Sequence, residues 1–137
     1  MKSFYCLILT DTDLCEDFLI GIFSDKTEAE KIAAYYLASV RGFCEYPFTE
    51  RIVKKYIAEL PLKTDVAIKI DKVWIAQGWN VSEDYDEIAV IESNLYLTKE
   101  RAEQELHVMQ KDYVRTEWAV DCWKIGKLHW TDGFIRV

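Results

Sequence analysis

The string HWTDGF at residues 129–134 holds the residue types in this chain best suited to chemistry. Histidine titrates near neutral pH, so His129 is a candidate acid–base group, with Asp132 as its partner and Trp130 as a stacking wall. A structural interpretation competes: Asp132-Gly133 sets a turn, Trp130 and Phe134 fill the core, and His129 bonds locally. No nucleophile or metal motif accompanies the string, so the structural interpretation is favoured and no catalytic residue is assigned.

The tryptophans all fall in the second half of the chain, at Trp74, Trp79, Trp118, Trp123 and Trp130. Aromatic residues on strands line ligand grooves or protein interfaces, although core packing is their commoner role. One hypothesis is a cleft between the two halves of the chain. Its candidate binding residues are Trp74, Trp123, His129 and Trp130, together with Asp132.

Two acidic loops are the other concentration of polar ligands. The first holds Asp11, Asp13, Glu16 and Asp17, and the second holds Glu83, Asp84, Asp86 and Glu87. Neither loop has the glycine turn and terminal spacing of a calcium loop, so no metal is predicted. Solvated hairpin loops are the main interpretation, and an acidic rim that attracts a basic protein partner is the alternative.

The cysteines give little indication of chemistry. They form no C-x-x-C pair, so neither a zinc site nor a disulfide framework is predicted, and the reducing cytoplasm is the expected compartment. We expect Cys6 and Cys122 to be small core residues, whereas the acids around Cys15 blunt its reactivity. Cys44 is the best placed to react, but no histidine is near it in sequence.

The composition narrows the function classes. A hydrophobic content of 50% with 30% charged residues indicates a folded domain. The net charge of −7 and the lack of clustered basic residues disfavour a nucleic-acid partner. No stretch approaches the roughly 20 apolar residues that span a bilayer, so no membrane partner is predicted. No phosphate loop or nucleophile elbow is present, so no cofactor is predicted and binding is favoured over enzyme activity.

A segment that occurs twice indicates how the helices and strands that hold these candidate residues are arranged. Residues 23–33 (FSDKTEAEKIA) recur as residues 96–106 (YLTKERAEQEL), a shift of 73 (96 − 23 = 73). Each copy has an aromatic residue, a capping position, a charged turn and an Ala-Glu pair. This order is typical of a helix that begins directly after a strand.

The chain therefore reads as an α+β fold of two ββαβ repeats, with antiparallel sheets and the two helices packed on one face, each on its own sheet. The repeats cover residues 1–60 and 66–137, with a linker at 61–65, in one compact unit. The third strand of each repeat is expected beside the first. The expected strands are 4–10, 18–23, 52–60, 66–79, 88–93 and 118–125. The helices are expected to begin after Ser24 or Asp25 and at Thr98, with Gly42 as the first C-cap.

The first two strands are apolar on both faces, and two helices cannot cover both faces of all the strands. Two arrangements satisfy this pattern. The two sheets pack face to face, or the helix-free sheet face meets a second copy of the chain in a homodimer.

Three short strings stand out, LIGIFS at 19–24, GFCEYP at 42–47 and HWTDGF at 129–134. They resemble a family of small bacterial proteins that form a domain of unknown function, whose members end in His-Trp-Thr-Glu-Gly-Phe. The resemblance covers much of the chain and implies a shared fold, but it implies no established activity.

Together these observations favour a non-enzymatic binding or regulatory protein that acts through protein–protein contacts. A specific form is an acidic inhibitor, or an immunity-type partner, of a basic protein that handles nucleic acid. The alternative is a small-molecule-binding protein or enzyme that uses the aromatic cleft between the repeats.

Overall fold

The secondary structure follows the order that the repeat predicts. The computed structural model describes residues 3–57, 70–80 and 90–136. In chain order its elements are β1 (Ser3–Asp11), β2 (Glu16–Phe23), α1 (Lys26–Ser39), β3 (Phe48–Tyr56), β4 (Lys72–Trp79), β5 (Ile91–Glu92), α2 (Lys99–Asp112) and β6 (Glu117–Lys124).

Each repeat forms its own three-stranded antiparallel sheet. The strand order is β2-β1-β3 in the first sheet and β5-β4-β6 in the second. In both sheets the strand after the helix lies beside the first strand of its repeat, as expected. The predicted α+β class with two ββαβ repeats is confirmed. The linker at 61–65 lies outside the described residues, so the repeat boundaries stay predictions.

Both helices begin at polar caps. The side chain of Asp25 accepts a backbone N–H of the first turn of α1, and the side chain of Thr98 does the same for α2. The predicted C-cap of α1 is wrong, because Val40 ends the helix and Gly42 lies in the turn beyond it, at a φ of 87°. Among the described residues, neither helix is long and apolar enough to cross a membrane.

The boundaries of β1, β2 and β6 lie within two residues of the prediction, whereas those of β3, β4 and β5 differ more. β4 begins at Lys72, and residues 70 and 71 of the predicted strand lie outside it. β3 begins at Phe48, four residues before the predicted start (52 − 48 = 4), because Phe48 pairs with Asp11 and packs its ring 5.0 Å from that of Phe43. β5 contains only Ile91–Glu92 within the predicted strand 88–93. Other predicted strand residues lie outside the described part of the chain, namely 58–60, 66–69 and 88–89.

Two apolar cores join α1, the first sheet and the second sheet. The first core lies between α1 and the first sheet and includes Leu7 and Tyr36. The second core lies between the sheets and joins Ile8 of β1 with Val73 and Ile75 of β4. The helix α2 packs on β4 and β6. The two sheets therefore pack face to face within one chain. The apolar face that motivated a homodimer is buried there, and the homodimer itself stays an untested prediction.

Residues 125–136, here called the tail segment, return from β6 to the first repeat. The N–H groups of Gly126 and His129 donate to the carbonyls of Ile22 and Ile20, each at 2.8 Å. Because β2 is an edge of the first sheet, these bonds occupy part of its open side. The second repeat thus completes the first.

Candidate functional site

His129 is held by its backbone and packed by its ring. Its carbonyl accepts the Tyr36 hydroxyl at 2.8 Å, and its imidazole lies 4.0 Å from the Trp123 ring, centroid to centroid. Burial, followed by the positive charge of Lys127, lowers the pKa of His129 below its ordinary value. Asp132 is exposed, and no hydrogen bond or ion pair joins it to His129 within the described residues. His129 and Asp132 therefore do not form the acid–base pair that was considered from the sequence.

The turn that follows closes the aromatic core of the first repeat. Trp130 and Gly133 both have positive φ, 59° and 71°. A Cβ on Gly133 would lie 2.0 Å from the Arg41 carbonyl oxygen, so only glycine fits there. Phe134 donates its N–H to that carbonyl at 3.1 Å and stacks on Phe18 with ring centroids 5.1 Å apart. The Trp130 ring lies perpendicular to the same Phe18 ring, with centroids 4.9 Å apart, but remains 48% exposed. Phe134 is thus structural, whereas Trp130 still presents a face to solvent.

Asp11 is not part of an acidic rim. Its side chain is fully buried, accepts the N–H groups of Asp13 and Leu14 at 2.8 and 3.1 Å, and lies 2.7 Å from the Arg136 guanidinium. Burial by itself raises the pKa of Asp11, but the hydrogen bonds from Leu14, Arg136 and Asp13 outweigh it and lower that pKa below its usual value. The rim prediction is therefore wrong at Asp11, because the tail segment supplies a cation that the sequence places far away.

The other acids of the first loop differ in accessibility. Asp17 is 8% exposed at its side chain and accepts hydrogen bonds from the Thr10 hydroxyl at 2.6 Å and the Val90 N–H at 3.0 Å. Glu16 is more open, and its nearest cation is Arg136 at 3.4 Å. Asp13 is exposed. The second acidic loop lies outside the described residues, with Glu83, Asp84, Asp86 and Glu87.

The strand register separates the candidate tryptophans. Trp74 pairs with Cys122, and the next pair along the ladder is Val73 with Trp123. Opposed residues share a sheet face and successive residues alternate, so Trp74 and Trp123 lie on opposite faces of the second sheet. Trp123 faces the first sheet with Val73, so Trp74 does not belong to its cleft. The expectation that Cys122 is buried is also wrong, because it is exposed on the Trp74 face.

A cleft of about 300 Å³, here called the inter-repeat cleft, opens between β2 and the second sheet. Its walls include Glu16, Phe18, Trp79, Trp123 and Trp130. Two residues predicted for the aromatic cleft, Trp123 and Trp130, are brought together here with two predicted for the acidic rim, Glu16 and Asp17. Trp79 was missed, although it has the same strand parity as Val73 and its ring could have been assigned to the same face.

A second cleft, of about 420 Å³ and here called the edge cleft, lies beside β5. Arg51 and Lys55 of β3 line it together with Glu92 of β5 and Glu105 and Tyr113 from α2 and its C-cap. Sequence reasoning did not find this site. The available signal was the placement of Arg51 and Lys55 on the same face of β3 as the apolar Val53.

Within residues 3–57, 70–80 and 90–136, no group of three or more His, Cys, Asp or Glu side chains is placed to hold a metal ion. No family model, curated protein or solved structure matches this chain. The resemblance to a small bacterial family therefore stays a prediction, and function has to be argued from the two clefts.

Proposed function

We propose that this protein is a non-enzymatic binding protein whose inter-repeat cleft takes a lysine or arginine side chain of a protein partner. The observation that carries the proposal is the convergence of Trp79, Trp123 and Trp130 from the second repeat with Glu16 from the first on one cleft. Aromatic faces together with a carboxylate suit a cationic head on an apolar stem.

Glu16 is the carboxylate best able to receive that cation. Arg136 lies 2.7 Å from Asp11 through one guanidinium nitrogen and donates a longer hydrogen bond, of 3.4 Å, to Glu16 Oε2 through the other, so it holds the buried Asp11 more closely than Glu16. Asp17 already accepts two hydrogen bonds and is nearly inaccessible. The net charge of −7 adds long-range attraction for a basic partner.

A protein segment fits better than an isolated amine. The Trp123 indole N–H is buried and donates to no residue that the structure describes. A backbone carbonyl of a bound segment is an acceptor that would satisfy this donor. Trp130 is 48% exposed, so part of its ring is open to cover the bound side chain.

As a specific form of this function, we propose an acidic inhibitor, or immunity-type partner, of a basic protein. The cysteines Cys6, Cys15, Cys44 and Cys122 are all free thiols. Free thiols fit a reducing compartment, so we place this activity in the cytoplasm.

The test is a tryptophan-fluorescence titration with a short peptide carrying one central arginine, matched by the same peptide with citrulline. Citrulline keeps the shape of arginine and lacks its charge. We expect the arginine peptide to bind about tenfold more tightly, which corresponds to about 1.4 kcal/mol, and the difference to shrink as salt is added.

The variants locate the effect. Trp130→Ala is expected to weaken arginine-peptide binding about fivefold to thirtyfold, from a cation–π contribution of about 1–2 kcal/mol. Tyr35→Ala is the matched control, because Tyr35 is a 58% exposed aromatic residue on α1 outside the cleft. Equal binding of the two peptides, or an unchanged affinity in Trp130→Ala, would refute the proposal.

One alternative uses the same cleft. A volume of about 300 Å³ is at the lower end of the range for small-molecule pockets, so an aromatic metabolite is a second candidate ligand. A thermal-shift screen against metabolites distinguishes the two. A stabilising metabolite whose effect is lost in Trp130→Ala, with no arginine-peptide binding, would favour this alternative.

A further inference from the structure

The edge cleft carries charges of both signs on different elements. β3 contributes Arg51 and Lys55, β5 contributes Glu92, and α2 contributes Glu105. None of these four charged residues lines the inter-repeat cleft, so a ligand of the edge cleft would bind independently of the proposed protein partner.

The two cations lie on the β3 face that is turned toward the second sheet, where the Arg51 side chain is 44% exposed. Arg51 and Lys55 share their strand face with Val53 and Ile57, which pack in the core between the sheets. Strand residues on an inter-sheet face are normally apolar, so two cations that flank Val53 on that face need another reason.

Neither cation is saturated by its neighbours. The Arg51 guanidinium lies 3.6 Å from Asp17 and 3.9 Å from Glu92, and both distances exceed those of a charge-assisted hydrogen bond. Lys55 Nζ donates to the backbone carbonyl of Glu92 at 3.2 Å. Several N–H donors of Arg51 and Lys55 therefore remain for a carboxylate in the cleft.

Glu92 supplies the opposite charge. Its side chain is only 5% exposed, and its Oε2 accepts no hydrogen bond from any described residue. Burial raises the pKa of Glu92; the cations Lys55 and Arg51 lower it in part, and Asp17 adds to the rise. Buried carboxylate oxygens in native proteins generally have a donor, so an unpaired one beside a cleft indicates a ligand that donates.

We propose that the edge cleft binds a small zwitterion of the free α-amino acid class. The ligand carboxylate would bind Arg51 and Lys55, and its ammonium group would bind Glu92, with Glu105 approaching from α2. Because Glu92 Oε2 is buried in this structure, the proposal includes a turn of the Glu92 carboxyl about its terminal bond, which presents Oε2 to the ligand. A volume of about 420 Å³ accommodates such a ligand, with Met109 as an apolar wall for its side chain.

The experiment starts from each of the twenty free L-amino acids, measured by thermal shift on the full chain. We expect at least one of them to raise the melting temperature. Its N-acetyl derivative, which lacks the ammonium group, and its carboxamide, which lacks the carboxylate, are each expected to bind at least tenfold more weakly by calorimetry. No stabilising amino acid, or a blocked derivative that binds as well as its parent, overturns the proposal.

Adjacent lysines provide a matched pair of variants. Lys55→Gln removes a cation that lines the cleft, whereas Lys54→Gln removes one that lies on the other strand face, 5.5 Å from the Tyr56 ring. We expect amino-acid affinity to fall about tenfold in Lys55→Gln and to stay unchanged in Lys54→Gln. Equal effects of the two variants would contradict the assignment.

Glu92→Gln separates ligand binding from a structural role. This change removes the carboxylate charge while keeping the shape, so the fold should be kept and amino-acid affinity should fall about tenfold or more. In the wild type, affinity should also fall as the pH drops and Glu92 is protonated, and this dependence should disappear in Glu92→Gln. The charged or titratable groups around Glu92 are Arg51 and Lys55 of β3, Asp17 of β2, and Glu105 and Tyr113 from α2 and its C-cap. A Glu92→Gln protein that binds as tightly as the wild type overturns the proposal.

Discussion

Replacing Phe134 with alanine tests how strongly the tail segment holds the first repeat. The Phe134 ring lies 5.1 Å from the rings of both Phe18 and Phe43 and 5.7 Å from that of Phe48. Truncating a core phenylalanine to alanine costs about 3–5 kcal/mol. Phe134 is only partly buried, so we expect about 3 kcal/mol, at the lower end of that range. At roughly 4 °C per kcal/mol for a chain of this size, the melting temperature should fall by about 12 °C.

The measurement is urea unfolding followed by tryptophan fluorescence and circular dichroism. The dependence of the unfolding free energy on urea should not change, because the same surface is exposed on unfolding. Ile135→Ala is the control, since its side chain is 65% exposed and its loss should cost under about 0.5 kcal/mol. A loss below about 1 kcal/mol in Phe134→Ala, or an equal loss in Ile135→Ala, would show that the tail segment does not hold the core as described.

Two other predictions concern titratable groups. Burial lowers the pKa of His129, so the unfolded chain takes up a proton that the folded state resists, and the free energy of unfolding should fall as pH drops below about 6.5. His129→Gln should reduce this loss between neutral and mildly acidic pH; an identical pH profile in unfolding experiments would contradict it. Burial raises the pKa of Cys6 to about 12, so a thiol reagent should label Cys6 only after denaturation. The exposed thiols of Cys15, Cys44 and Cys122 should react in the native protein. Rapid labelling of a fourth thiol in the native protein would refute the burial of Cys6.

The repeat predicted the architecture because its signals are local. A capping residue and a helical apolar stripe lie within a few positions of one another, and Asp25 and Thr98 cap the helices as the sequence indicates. Strand order then followed from short connections and crossover geometry, which depend little on side-chain detail. These features could be predicted from one sequence without knowing any long-range contact.

The errors arise where distant segments meet. β3 begins early because Phe48 joins an aromatic cluster that Phe134 completes from the second repeat. Asp11 is buried because Arg136 reaches it from the tail segment. Neither pairing leaves a periodic pattern in the sequence, so the acidic loop was interpreted as solvent-exposed.

The candidate site was only partly predictable for a related reason. Trp74 and Trp123 lie on different strands, so only the register between β4 and β6 shows that they face opposite sides, and only the packing between the sheets shows which side meets the first repeat. The edge cleft depends on β3, β5 and α2 meeting at one edge of the second sheet. Its charged residues are spread over more than fifty positions of sequence (105 − 51 = 54) and form no motif.

The hydrogen bonds from Gly126 and His129 to β2 bear on how the protein is made. The ribosome releases β1, β2, α1 and β3 well before the residues that seal the edge of their sheet and fill their aromatic centre. We therefore expect the first repeat to stay incompletely packed, and prone to aggregation, until the tail segment has been synthesised and can dock on it.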